Sequence, residues 1–316
     1  MSSSSPPPAA GVRVHWEELP RSIRDAVEQR LDGKVVEAVT QPGGFSPGLA
    51  ARLLLDDGRR VFVKAVSEMA NPDSPGMHRR EARIVSALPA SAPVPRLLWT
   101  YDDDGWVALG FEDVDGRHPG APWTEMDLAL VADALKRMAV DLTPSPIAIE
   151  ATASGALERG INGWRIALDR GEQRLDPWCI RHLARLADLE SLAPAAAAGE
   201  TLLHFDTRAD NILIAGDRVY VLDWPSARVG ASFVDWLFMA PSVAMQGGPA
   251  PPDFISRFDL SGISPERFDA ILCSGAGYFV VHALDPAPPG LPTVRAFQAA
   301  QGVIALEWLR QRLGWS

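Results

Sequence analysis

Residues 201–224, TLLHFDTRADNILIAGDRVYVLDW, restrict the fold of this chain more than any other stretch. Two short apolar runs, at 212–214 and 219–222, are joined by residues 215–218, which contain a Gly-Asp pair. Apolar runs separated by such a turn predict a β-hairpin. The polar residues of the stretch then fall at the outer ends of two paired strands.

Three of these polar residues have oxygen-bearing side chains. Asp206 and Asn211 precede the first strand and Asp223 ends the second, so the hairpin would bring all three to the same end of a small sheet. Such a convergence of oxygen ligands indicates a hard cation, and Mg²⁺ favours few carboxylates together with phosphate oxygens. The pattern therefore predicts a magnesium site that includes phosphate.

The composition of the chain argues against several classes of protein. A formal net charge of −10 leaves no basic excess to neutralise nucleic-acid phosphates, although it allows a cationic partner. No stretch is apolar and long enough to span a membrane, and the start, MSSSSPPPAAG, lacks the features of a signal peptide. We expect residues 1–15 to be a disordered tail. The two distant cysteines, Cys179 and Cys273, fit the reducing cytoplasm, and the oligomeric state is left open.

A glycine-rich connection lies in the first half of the chain, where three strands are predicted at 35–39, 51–55 and 60–66. Glycines let a backbone approach a phosphate closely, whereas a flexible hairpin loop is the alternative interpretation, and Pro47 removes one N–H. The residues of this connection that we predict to contact a nucleotide are Gly43, Gly44, Phe45, Ser46 and Gly48.

Lys64 lies inside the apolar strand that follows the glycine-rich connection. A buried ammonium is unfavourable without a partner, and both a phosphate and the carboxylate of Glu81 would serve. Glu81 lies on the apolar face of a helix predicted from residue 77 to 88. The alternative is an exposed Glu81 that pairs with Arg79 or Arg80.

The order of these motifs is typical of one fold. A glycine-rich hairpin, a strand lysine and a helix glutamate are followed by His204-Phe205-Asp206-Thr207-Arg208-Ala209-Asp210-Asn211 and then by Asp223. This order resembles the protein-kinase-like fold, with its H-x-D-x-x-x-x-N loop and later metal aspartate. Within that fold the chain is most similar to the aminoglycoside phosphotransferase and choline kinase-like family. Trp224-Pro225 replaces Phe-Gly after the metal aspartate, and no Ala-Pro-Glu follows.

The resemblance implies an α+β, bilobal fold. Residues 16–113 would form a small antiparallel-sheet lobe that binds nucleotide, and residues 114–316 would form a larger, mostly helical lobe. In this arrangement Lys64 holds the phosphates of ATP or GTP, and Glu81 positions Lys64. The adenine would bind the backbone of the link near Glu112 and Val114.

The resemblance also assigns roles within the 201–224 stretch. Asp206 would accept the proton of the attacking hydroxyl, and Asn211 and Asp223 would hold Mg²⁺. Arg208 is predicted to stabilise charge on the transferred phosphoryl group, and an ion pair with Asp210 or Asp235 is the alternative. Phe205 and Thr207 depart from the family's usual Gly-Asp-Leu, which puts the shape of the acceptor site in doubt.

The expected activity is transfer of phosphate to a hydroxyl of a small molecule. An aminoglycoside-like or other antibiotic is the first expectation, and a metabolic acceptor such as choline, homoserine or a sugar is the second. A catalytically silent nucleotide-binding protein is a further alternative. The acidic or aromatic residues considered as acceptor contacts are Glu158, Trp164, Asp169, Asp285 and Trp308.

Overall fold

The structure is a computed structural model that describes residues 7–45 and 47–316. An N-terminal five-stranded antiparallel sheet precedes a mostly helical region. The α+β, protein-kinase-like fold expected from the sequence is therefore confirmed. Ser46 and residues 1–6 lie outside the described residues, so the nucleotide contact predicted for Ser46 stays a prediction.

The N-terminal sheet has the strand order β1-β2-β3-β5-β4. Its strands are β1 (Val35–Thr40), β2 (Leu49–Leu55), β3 (Arg60–Ser67), β4 (Leu97–Asp103) and β5 (Trp106–Glu112). Helix α1 (Arg21–Leu31) precedes the sheet, and α2 (Ser74–Ala87) connects β3 to β4. Lys64 on the central strand β3 is paired in register with Ala50 of β2 and Leu109 of β5.

The helical region follows β5. Its helices are α3 (Glu125–Asp141), α4 (Ala153–Arg159), α5 (Gly163–Arg170), α6 (Pro177–Glu190), α7 (Ala193–Ala196), α8 (Phe233–Met245), α9 (Pro251–Ile255), α10 (Pro265–His282) and α11 (Val294–Leu313). The hairpin predicted from the sequence is formed by β7 (Ile212–Ala215) and β8 (Arg218–Val221). Strand β6 (Thr201–Leu203) pairs with β9 (Arg228–Gly230) beside it.

Two hydrophobic cores hold these elements. The smaller core lies between α1 and the sheet and includes Ile23, Val27 and Leu53. The larger core fills the helical region and also includes residues of β5 and α2, such as Leu109 and Ile84. The apolar core thus continues across the lobe boundary predicted at residue 113, and it fixes the sheet against the helices.

Residues 7–15 differ from the predicted disordered tail. They run along the glycine-rich connection between β1 and β2, where Gly11 N donates to Gly44 O at 2.9 Å and Gly48 N donates to Val12 O at 3.1 Å. The physical reason is that this connection has backbone groups without strand partners, and the N-terminal segment supplies them. Val12 N also donates to Gly290 O at 3.0 Å, so the segment joins this connection to the loop before α11.

In the described part of the chain, none of the helices has both the length and the apolar composition that crossing a membrane requires.

Candidate active site

The loop between β6 and the 3-10 helix Ala209–Asn211 presents Asp206. Asp235 on α8 is buried, and its carboxylate accepts from the backbone N–H groups of His204 and Phe205, both at 2.8 Å. His204 is fully buried, and its Nε2 lies 2.7 Å from Leu222 O. These bonds attach the Asp206 loop to α8 on one side and to the end of the β7–β8 hairpin on the other.

Phe205 has a backbone φ of 65°, in the left-handed region that is unfavourable for a bulky residue. The family's usual glycine would adopt this conformation without strain. The two bonds at Asp235 help hold Phe205 in this conformation. Its ring makes an edge contact with Phe238, with ring centroids 5.6 Å apart.

Arg208 binds two carboxylates at once. Its Nε and Nη2 donate to Asp210 at 3.0 and 2.9 Å, and its Nη1 donates to Asp206 Oδ1 at 2.5 Å. The sequence offers Asp210 and Asp235 as ion-pair partners of Arg208. In the structure Asp210 forms this ion pair, and the carboxylate of Asp235 accepts backbone N–H groups instead. The guanidinium also lies over the rings of Phe45 and Phe297, at 5.3 and 5.6 Å from their centroids.

The protonation of Asp206 depends on two opposing effects. Burial raises the pKa of Asp206 to about 6, and the adjacent Arg208 opposes that rise. The side chain is 37% exposed, so solvent moderates the effect of burial. Asp206 is therefore a carboxylate at neutral pH and becomes neutral in mildly acidic solution.

Lys64, Glu81 and Asp223 form a buried ion-pair group. Lys64 Nζ donates to Glu81 Oε1 at 2.7 Å and also contacts Asp223 Oδ1. Burial alone would lower the pKa of Lys64, but the carboxylates of Asp223 and Glu81 raise it above its ordinary value. Lys64 therefore stays charged. The alternative of an exposed Glu81 is wrong, because its side chain is only 4% exposed.

Asn211 and Asp223 are the two residues predicted to hold magnesium. Asn211 Nδ2 donates to Asp206 O at 2.9 Å, which leaves its Oδ1 available to a cation. Lys64 holds the pKa of Asp223 at about 2, against the opposing effect of burial, so this carboxylate is ionised. Among the described residues no cluster of three or more His, Cys, Asp or Glu could hold a metal. Two oxygen donors fit an ion that completes its shell with phosphate and water.

A cavity of about 870 Å³ lies under the glycine-rich connection, and we call it the nucleotide cavity. The predicted nucleotide contacts that line it are Gly43, Gly44, Lys64, Glu81, Glu112 and Val114. Its apolar lining suits a flat heterocycle and includes Leu49, Phe62, Phe111, Leu213 and Leu222. Within the described chain the N–H of Val114 has no hydrogen-bond partner, so it is available to a base.

Two predicted nucleotide contacts lie elsewhere. Gly48 has a φ of 127°, and a Cβ there would lie 2.5 Å from Ala65 O, so its glycine is required for packing on β3. Phe45 makes an edge contact with Phe297 of α11, with centroids 5.2 Å apart, and lines a different cavity. Neither residue lines the nucleotide cavity. The reason is local: the backbone turns after Gly44, and the N-terminal segment lies along it.

The second cavity has a volume of about 660 Å³ and contains Asp206 and Arg208, and we call it the acceptor cavity. None of the five acceptor contacts considered from the sequence lines it. Trp164 and Trp308 are core residues, Glu158 is exposed beside Arg159, and Asp285 binds Arg170. Asp206 is the acidic residue of the lining, and Arg80, Arg159 and Arg228 accompany Arg208.

Arg13 is a residue of the nucleotide cavity that the sequence did not single out. Its Nε donates to Gln41 O at 3.1 Å, and its Nη2 contacts the carbonyls of Gly43 and Gly44. No spacing in the sequence links residue 13 to residues 41–44. His78 of α2 also lines this cavity, and burial, together with Lys64, lowers its pKa to about 4.

The fold and the site define a phosphotransferase of the protein-kinase-like class. The model of the phosphotransferase enzyme family matches residues 44–267, which is more than half of the chain. The chain therefore belongs to this family and is a small-molecule phosphotransferase whose acceptor is a hydroxyl group.

Solved structures share the fold at low sequence identity. An aminoglycoside phosphotransferase in complex with ADP and hygromycin B is 15% identical, with a TM-score of 0.64 over 93% of this chain and 100% of its own. A choline/ethanolamine kinase family protein from Mesorhizobium loti is 13% identical, with a TM-score of 0.59 over 92% and 94%. A phosphotransferase in complex with streptomycin and ATP is 14% identical, with a TM-score of 0.55 over 93% and 96%. No curated protein sequence matches the chain.

Proposed function

We propose that the protein is an ATP-dependent kinase that phosphorylates a hydroxyl of a small molecule bound in the acceptor cavity. One observation carries this proposal: Arg208 joins Asp206, which lines the acceptor cavity, to Asp210, which lines the nucleotide cavity. The H-x-D-x-x-x-x-N loop thus contributes residues to both cavities, and Phe297 lines both of them. We assign residues 16–113 to nucleotide binding and residues 114–316 to the rest of the site.

The proposed reaction is an in-line displacement at the γ-phosphorus. The acceptor oxygen forms a bond to phosphorus, the bond to the β–γ bridging oxygen breaks, ADP leaves, and Asp206 receives the hydroxyl proton. Lys64 holds the α- and β-phosphates, positioned by Glu81. Asn211 and Asp223 would hold Mg²⁺, which supplies charge neutralisation at the phosphates.

We assign Arg208 a double role in this scheme. Its contact with Asp206 keeps that carboxylate ionised at neutral pH, and its buried guanidinium is a fixed positive charge beside the reacting groups. Because the charge is already in place, no reorganisation is needed as charge develops on the transferred phosphoryl group. Asp210 holds the guanidinium in that position through two hydrogen bonds.

The identity of the acceptor is a separate proposal. Antibiotics are the ligands of two of the similar structures, and a metabolic alcohol is the alternative that a choline/ethanolamine kinase family neighbour supports. A cationic aminoglycoside is disfavoured by the lining, because four arginines and one aspartate surround the cavity. We place the enzyme in the cytoplasm, where ATP is available and its two free, buried cysteines stay reduced.

The test is release of ADP by purified protein with Mg-ATP and, separately, Mg-GTP, in the presence of a panel of alcohols that includes antibiotics and sugars. We expect acceptor-dependent ADP release and a nucleotide-dependent rise in melting temperature. The Asp206→Ala variant should lose transfer by about 10³-fold and keep its nucleotide affinity. Nucleotide binding without transfer to any acceptor would instead support a catalytically silent protein.

A further inference from the structure

Three arginines of the acceptor cavity have no role in the chemistry proposed above. Arg80 comes from α2, Arg159 ends α4 and Arg228 begins β9, yet all of them line the cavity that contains Asp206. They lie on separate elements far apart in sequence, so their convergence is a property of the fold. We infer that the acceptor is an alcohol with an anionic group, a carboxylate or a phosphate, which these arginines bind. This inference rests on the proposed function.

Two of the three arginines lack a compensating charge among the described residues, and the third has only a partner at the surface. In the described chain, no carboxylate lies within 4.0 Å of the guanidinium of Arg80 or Arg228, and Arg159 is 3.8 Å from the exposed Glu158. The chain has 40 acidic residues against 30 basic ones, so a cavity rich in arginine is contrary to its overall charge. Like charges in one cavity repel each other, and a bound anion would relieve that repulsion.

Arg228 is the most enclosed of the three. Its guanidinium lies 5.8 Å from the centroid of the Phe205 ring, and among the described residues its one hydrogen-bond acceptor is Ala227 O, at 3.1 Å. Burial, with the positive charges of Arg80 and Arg159, lowers its pKa. A planar guanidinium held by an aromatic ring is well suited to two-point binding of a carboxylate or phosphate.

The side chain of Arg159 lies over Gly155 of its own helix. A Cβ at position 155 would lie 2.6 Å from Arg159 Nη2 and 3.2 Å from Thr152 Oγ1. The guanidinium therefore folds back over α4 at the one position where the helix has no side chain. Thr152 and Gly155 also line the acceptor cavity, so this arrangement places the charge of Arg159 on the cavity wall.

The other residues that line the acceptor cavity indicate the chemistry of the rest of the ligand. Its aromatic residues are Phe45, Phe205, Phe238, Tyr278, Phe279 and Phe297. Phe205 lines the cavity in a strained backbone conformation, and such strain is concentrated at functional sites. Gln301 is 1% exposed, and its Oε1 has no hydrogen-bond partner among the described residues. A ligand hydroxyl or N–H would satisfy that oxygen. The acceptor therefore combines an apolar body, a polar hydrogen and an acidic group.

The experiment uses matched probes on the full-length protein saturated with the ATP analogue AMP-PNP and Mg²⁺. The probes are mandelate, methyl mandelate and 2-amino-1-phenylethanol, which share a phenyl group and a hydroxyl and differ in charge. Calorimetry should show mandelate binding about tenfold more tightly than its ester, as expected for charge-assisted hydrogen bonds. The amine should bind more weakly than the ester.

Two variants test the assignment to the arginines. Arg80→Gln and Arg228→Gln should each reduce the preference for mandelate over its ester by at least threefold, with no change in AMP-PNP affinity. The matched control is Arg137→Gln, on the exposed face of α3 and outside both cavities, which should keep the preference. Arg80 is itself exposed, so its variant should fold even where the Arg228 variant does not.

The inference is overturned when mandelate binds no more tightly than its ester, or when the preference survives both arginine substitutions. The proposed function fails by a different result, namely the absence of AMP-PNP binding or of acceptor-dependent ADP release across the whole alcohol panel. Transfer to a cationic acceptor with tight binding of the amine would overturn the inference and leave the kinase function standing.

Discussion

The nucleotide cavity and the acceptor cavity differ in how their charges are balanced. In the nucleotide cavity, Lys64 contacts both Glu81 and Asp223, so the principal charges are already paired within the protein. In the acceptor cavity, Arg80 and Arg228 have no carboxylate partner among the described residues. The first site is therefore preorganised for a cosubstrate that it shares with other kinases, whereas the second depends on the ligand to complete its charge.

The largest expected effect comes from a substitution in the nucleotide cavity, where the charges are paired within the protein. Lys64→Met removes the cation that two carboxylates contact and leaves the buried carboxylate of Glu81 without its cationic partner. We expect kcat/KM to fall by about 10³-fold and the free energy of unfolding to fall by about 3 to 5 kcal/mol. Coupled ADP-release kinetics and urea denaturation measure the two effects.

A double variant separates the effect on stability from that on activity. Lys64→Met with Glu81→Gln removes the unpaired carboxylate, so part of the lost stability should return while activity stays absent. Lys136→Met, at an exposed pair on α3, is the control and should change neither. Equal stabilities of the single variant and the wild type would contradict the ion-pair account.

The loop that serves both cavities gives the next largest effect. Asp235→Asn replaces one of two carboxylate oxygens that accept backbone N–H groups with an amide nitrogen that cannot accept. We expect a loss of about 2 kcal/mol in the free energy of unfolding and about 10²-fold in kcat, because the Asp206 loop loses its attachment to α8. Urea denaturation and steady-state kinetics measure these changes.

The control for the Asp235 variant is Asp253→Asn on the exposed face of α9. This variant makes the same chemical change, from a carboxylate to an amide. Among the described residues no side chain contacts the carboxylate of Asp253. A variant Asp235→Asn that is destabilised and retains full kcat would show that the attachment to α8 is structural only.

A smaller effect concerns the pH dependence of Asp206. In the proposed mechanism its ionised form accepts the proton, and burial raises its pKa to about 6, so kcat/KM should fall below about pH 6. Burial raises this pKa and Arg208 opposes the rise, so Arg208→Gln should move the acid limb to higher pH. Arg208→Lys keeps a positive charge and should leave the limb close to that of the wild type.

Ionisation of the substrates affects the pH profile of each enzyme equally. A difference between the profiles of two variants therefore reports on the enzyme. Full pH profiles of kcat/KM for the wild type and both variants supply the measurement. An acid limb at the same pH in wild type and Arg208→Gln would show that another group controls it.

The same contrast explains what could be predicted from the sequence. Lys64 lies within an apolar strand, and Asp206, Asn211 and Asp223 lie at fixed spacings beside a hairpin, so motif order and spacing could single them out in the sequence. Glu81 followed from its position on the apolar face of a helix. The positions of these residues depend on the local strand, turn or helix that contains them. Such elements are visible in the sequence as regular spacings of apolar residues.

The acceptor residues leave no such pattern. Arg80, Arg159 and Arg228 come from two helices and a strand, and only the packing of those elements brings them to one cavity. The aromatic chemistry of Trp164 and Trp308 suits acceptor contacts, yet both residues are buried in the core. The conformation of Phe205 depends on Asp235, a residue of a distant helix, and no propensity of Phe would indicate it.

The smallest expected effect tests whether the N-terminal segment contributes to nucleotide binding. Arg13 donates to Gln41 O and contacts the carbonyls of Gly43 and Gly44, so it holds the connection that covers the nucleotide cavity. Arg13→Ala should raise KM for ATP about fivefold with kcat nearly unchanged, because each such bond contributes about 1 kcal/mol. The control is Arg21→Ala, whose side chain is 88% exposed on α1. An unchanged KM for ATP would place Arg13 outside the nucleotide site, and an equal loss in kcat would mean that the segment also orients the reacting groups.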